Sequence, residues 1–189
     1  MSGVDQATAR LAFVTGVVAL ASFASLVIFF IVGGLFGPLN DAGNGLTGVL
    51  SAALAWRLGG GAAGRFGVWL AVAGGLVVAV GSALILSGTT GFFLAGLVSS
   101  TGFGLVGIWL LALNRRPPAG WPGRLATLGL AAGLLMAVGL VTAPGIALGL
   151  DDMETAPAWI WVGFVGWLGA FLAYPAWAVW LGRMGSPGP

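Results

Sequence analysis

The chain has 189 residues, 59% of them hydrophobic and 6% charged, and its mean hydropathy is +1.06. A soluble domain carries roughly 25% charged residues, so this composition excludes one and indicates an all-α integral membrane protein, expected as a single domain over 1–189. The charge is seven Arg against five acidic residues, with no Cys, His or Lys; this excludes disulfides, thiolate or imidazole metal sites, lysine Schiff bases and His-assisted nucleophiles, so neither metal nor cofactor is expected.

Charges and turn residues divide the chain into six apolar runs, at about 11–33, 38–57, 66–88, 91–114, 125–147 and 157–181. Each approaches the ~20 residues that cross a hydrocarbon layer as a helix. The first run is longer than the ~7–15 apolar residues of a cleavable signal and no A-x-A site follows it, so it is expected to remain as a crossing.

The second run begins polar, in "FGPLNDAGNGLTGVLSAALAWRL". Proline is favoured in a first helical turn, where the amide it lacks would be unpaired anyway, so a helix is expected to start at Pro38. Ending at Arg57, it would span roughly 30 Å. Asn40, Asn44, Thr47 and Ser51 then fall on one face, with Asp41 beside them in the first turn, where the helix dipole favours a negative charge. In one reading Asn40 and Asp41 cap and solvate the outer end of this helix, while Asn44, Thr47 and Ser51, with Ser99 to Thr101 of the fourth run, hydrogen-bond neighbouring helices. In the other they line a vestibule, with Asp41, Asn40 and Asn44 as first contacts for a cation or polar head group.

The fourth run adds a second polar patch, Ser99, Ser100 and Thr101, placed deeper. Between the fifth and sixth runs, "GLDDMETAP" reads as a solvated acidic loop ending in a Thr155 cap, with Pro157 at a helix start. Its three carboxylates fall short of the six to eight oxygens Ca²⁺ requires. In the sixth run Pro175 predicts a kink, and Trp167 lies too deep for an interfacial belt, so it either packs in the bundle or lines a cavity. The other eight Trp fall near run ends, as such belts require.

All seven Arg precede the first run, follow the sixth, or sit in the 2–3 and 4–5 connections, whereas Asp41, Asp151, Asp152 and Glu154 fall on the opposite side. The positive-inside rule then places both termini in the cytoplasm. Arg in place of Lys, with 35 Gly, resembles the coding bias of a GC-rich bacterial genome, which suggests a bacterial cytoplasmic membrane. The Arg are too dispersed to form a groove for nucleic acid.

The chain also matches itself at a period near 59: "GLTGVLSAALAWR" from Gly45, "GLVGIWLLALNRR" from Gly104 and "GFVGWLGAFLA" from Gly163. Three tandem helical hairpins about an axis along the membrane normal are expected, with Gly48, Gly107 and Gly166 in equivalent places and Gly75 and Gly133 on the odd helices as close-packing positions. No pair of intramembrane carboxylates is available for catalysis, so the expected function is non-enzymatic: binding or transport of a small solute, cation or lipid. The alternative is an accessory or scaffold subunit that docks a membrane partner or a second copy through Gly faces and the Trp-rich sixth helix.

Overall fold

A computed structural model describes residues 4–59 and 64–185, and every regular element among them is helical. The helices are α1 (Gln6–Val32), α2 (Phe36–Leu58), α3 (Gly64–Leu86), α4 (Phe92–Arg115), α5 (Gly123–Ala147) and α6 (Ile160–Arg183). All except α2 are long and apolar enough to cross a membrane. The protein is a polytopic helical membrane protein.

Helix α1 starts five residues earlier than its apolar run because Asp5 caps it. The Asp5 carboxylate accepts from the Thr8 hydroxyl (2.5 Å) and the Thr8 amide (3.0 Å), and these bonds hold its carboxyl below the usual range. The α1–α2 connection is only three residues long. Gly33 (φ 73°) and Gly34 (φ 69°) make it possible, since both adopt the left-handed region that other residues avoid. This tight turn brings the start of α2 to Phe36 instead of Pro38. Pro38 still lies in the first turn, but Asp41 does not: it sits in the second turn, farther from the helix N-terminus than the sequence suggests.

Helices α5 and α6 are less regular than their apolar runs predict, and a proline explains each case. In α5 the helix tightens to 3₁₀ over Gly139–Thr142 before resuming at Ala143–Ala147. Pro144 lacks an amide, and its ring would clash with the carbonyl of Leu140. In α6 the segments Ile160–Gly163 and Val165–Leu168 lead into a π-helical turn, Gly169–Ala173, before Tyr174–Arg183. The wider π turn accommodates Pro175 one turn past the Phe171 carbonyl it would otherwise strike. The expected start at Pro157 is corrected to Ile160. Thr155 does not cap this helix, because its hydroxyl donates to the Asp152 carbonyl within the loop (3.4 Å).

Consecutive helices pack against one another, and α1 closes the ring against α6 over Gly169–Arg183. Alternating directions gather the seven Arg at one end and Asp41, Asp151, Asp152 and Glu154 at the other, here termed the arginine and acidic ends. Glycine sets the closest approaches. A Cβ on Gly48 would lie 2.6 Å from the Gly75 carbonyl oxygen, and one on Gly107 would lie 2.8 Å from that of Gly133, so α2/α3 and α4/α5 meet alike. Gly166 instead packs on Gly139 of α5 (2.9 Å to its amide), not on α1. Helix α1 meets α6 lower down, with Gly16 against the Pro175 carbonyl and Gly182 against Phe13. The arginine-end half is filled by Leu54, Trp109, Leu110, Leu113, Trp177 and Leu181, each fully buried.

Candidate binding cavity

The acidic-end half is not filled. There the ring encloses a cavity of about 390 Å³ bounded by α1, α2, α3, α4, α6 and the α5–α6 loop, within the ~300–1,000 Å³ range of small-molecule sites. The redirection of α6 above its π turn accounts for the space. Over Ile160–Leu168 this helix packs on α5 and α4, whereas α1 packs on it mainly from Gly169 onward.

The polar wall is the first half of the α2 stripe. Asn40 and Asn44 are buried, and both bond to Ser22 on α1. Asn40 Nδ2 donates to the Ser22 carbonyl (3.0 Å) and hydroxyl (3.1 Å), and Asn44 Nδ2 donates to Asn40 Oδ1 (3.2 Å). The Ser22 hydroxyl lies within donating distance of the Asn40 carbonyl (2.8 Å) and Asn44 Oδ1 (2.9 Å). Both Asn40 N–H groups are thereby used, but Asn44 has a second N–H to offer. Asp41, half-buried on the same helix, is the one charged residue lining the cavity among the described residues. On α3, the buried Ser82 Oγ has no hydrogen-bond partner, which is unusual for a buried hydroxyl. Ser99 of α4 completes the polar lining.

The remaining wall is apolar and aromatic. Trp167 stacks on Phe171 (4.8 Å between ring centroids, 22°) and meets Phe103 edge-on (5.7 Å), so it both packs in the bundle and lines the cavity. Phe23 stacks on Phe171 (5.3 Å, 25°) and closes the α1–α6 gap from below. The rim includes Phe30 (73% exposed), Leu168 and Leu172, exposed apolar side chains of α1 and α6. Across the acidic end lies the α5–α6 loop. Asp151 Oδ2 accepts from the Gly91 amide (2.6 Å) and Oδ1 from the Leu94 amide (3.0 Å), which caps α4 and brings Met153 to the cavity. The loop expected to be only solvated is therefore anchored.

Of the residues singled out by sequence, Asn40, Asp41, Asn44, Ser99 and Trp167 come together. Thr47 and Ser51 do not line the cavity. The stripe descends into the core, where the Thr47 hydroxyl bonds the Gly43 carbonyl (2.8 Å) and the Ser51 hydroxyl bonds that of Thr47 (2.7 Å). Because Ser51 spends its single proton there, the Tyr174 hydroxyl donates to it (2.8 Å). The "SST" patch also divides: Ser100 packs on Gly139 of α5, and Thr101 pairs with Thr142 (3.0 Å). Successive helical residues point about 100° apart, so three in a row cannot share one wall.

Sequence reasoning missed Ser22, Ser82, Phe171 and the Asp151 anchor. A signal for Ser22 exists, since Ser22 and Asn44 are equidistant from Gly33 and a hairpin folded there places them opposite each other. No comparable signal marks Ser82 or Asp151. Comparison of the chain with protein-family models, curated proteins and solved structures finds no match.

Proposed function

We propose that this protein is a non-enzymatic, six-crossing membrane protein that holds a single amphiphile in the acidic-end cavity, admitted sideways from the bilayer between α1 and α6. The observation that carries the reading is the cavity's division: a small polar wall on α2 and α3, a long aromatic wall on α6, and an apolar rim at Phe30, Leu168 and Leu172. Amphiphiles have the same division, and the anchored loop across the acidic end favours lateral over axial access.

Binding is favoured over an open channel by the filled arginine-end half, where Trp109, Trp177 and the Ser51–Tyr174 bond are fully buried. At 23 residues α2 spans about 35 Å, and its Asn, Thr and Ser side chains bond within the bundle, so its polarity does not prevent a crossing. The Arg distribution supports cytoplasmic termini, and the composition supports a bacterial cytoplasmic membrane. The matching Gly48/Gly75 and Gly107/Gly133 contacts support repeated hairpins for the first two pairs of equivalent helices. They also place the small-residue faces that a docking subunit would use inside the bundle.

Gly96 provides the test, because it lines the cavity and a Cβ built on it meets nothing within 4 Å. In nanodiscs, a neutral dibromododecyl maltoside should quench the fluorescence of the cavity residues Trp161 and Trp167 saturably. Gly96→Leu, which fills the space without a backbone clash, should abolish the saturable component. Equal saturable quenching in both proteins would overturn the proposal.

A further inference from the structure

We infer that the amphiphile held here is a cation, with an ammonium head group seated at Asp41 and its chain among the α6 aromatics. The inference rests on the amphiphile reading above and assigns the ligand's charge. Among the described residues Asp41 supplies the only charge on the cavity wall, and the seven Arg stand at the opposite end of the helices. An anionic head would find no counter-charge, and the cost of removing an unpaired ion from water would oppose it.

A bare metal ion fits no better. The wall offers one carboxylate, and no group of three or more potential metal-binding carboxylates is found among the described residues; Ca²⁺ needs six to eight oxygens. An alkylammonium is already partly shielded by its own carbon atoms and needs only one opposite charge. It also gains from an aromatic face, and Trp161, in the first turn of α6 at the acidic end, lines the same cavity.

Two further polar groups line the same cavity. Ser82 Oγ, on a residue 94% buried, has no partner, and Asn44 keeps an uncommitted N–H. Both suit an ester, amide or hydroxyl oxygen on the ligand. The ligand class is thus a single-chain amine or quaternary ammonium amphiphile carrying such an oxygen.

The test compares three amphiphiles with the same dibromododecyl chain, with trimethylammonium, maltoside and sulfate heads, in phosphatidylcholine nanodiscs, read by saturable tryptophan quenching. The wild-type protein should half-saturate at about tenfold lower concentration with the ammonium than with the maltoside. Sulfate should bind weakest. Asp41→Asn, close to isosteric, should bring the ammonium-to-maltoside ratio to about one, and Asp41→Glu should restore the preference. Maltoside quenching in each variant reports whether the cavity is intact. An unchanged ratio in Asp41→Asn, or sulfate binding as tightly as ammonium in the wild type, overturns the cationic assignment while leaving an amphiphile site standing. If no head group gives quenching that Gly96→Leu removes, the cavity reading fails and this assignment fails with it.

Discussion

Asn44 and Tyr174 are both buried polar residues reached from α2, but their removal leaves different debts. Tyr174 donates one bond to Ser51, which has another partner in the Thr47 carbonyl. Tyr174→Phe should therefore cost no more than an ordinary net hydrogen bond, about 0.5–1.5 kcal/mol, with membrane measurements averaging near 0.6. Asn44→Leu strands Asn40 Oδ1 and removes an acceptor from the Ser22 hydroxyl, so about 1–3 kcal/mol is expected. Denaturant unfolding in detergent, followed by tryptophan fluorescence, should rank the two in that order. The sequence identifies these side chains as one helical face. It does not say that the face divides between a cavity above and a hydroxyl chain below, because that depends on where α6 comes close.

Glycine has two distinct meanings within the helices. At Gly75 a Cβ would collide with the Gly48 carbonyl oxygen, an atom fixed in the α2 backbone. At Gly96 a Cβ enters open space. Gly75→Ala should thus destabilise by about 1–3 kcal/mol through forced separation of α2 and α3. Gly96→Ala should stabilise slightly, by up to about 1 kcal/mol from helix propensity alone. Thermal unfolding of the two variants in one detergent should shift in opposite directions. The repeat of period 59 points to Gly48, Gly107 and Gly166 as equals, and two of them do make the same contact. Gly166 departs because it lies above the π turn that precedes Pro175, where α6 leans towards α5 and the cavity opens beside α1.

For the molecule as a whole, the charge distribution makes the clearest prediction. Because the chain has no cysteine, single introduced thiols report sidedness without interference. Thr89→Cys, at the acidic end, should react with a membrane-impermeant maleimide in intact cells. Ala119→Cys, at the arginine end, should react only after permeabilisation. The reverse pattern would invert the proposed orientation. Orientation matters to function here, since it decides from which leaflet an amphiphile reaches the α1–α6 rim.

The sequence by itself determined the membrane class, the number and approximate bounds of the helices, and the partition of Arg and acidic residues between the two ends. These properties follow from local hydropathy and from the order of charges along the chain, which a sequence states directly. Only the tertiary structure decided that Ser22 partners Asn40 and Asn44, that Asp151 anchors the loop to α4, and that α6 parts from α1 to leave a cavity walled by Phe171 and Trp167. Such features depend on helix register and tilt. In a chain so rich in Gly, Ala and Leu, many registers bury similar surface, and the choice among them rests on contacts between residues distant in sequence, such as Ser51 with Tyr174.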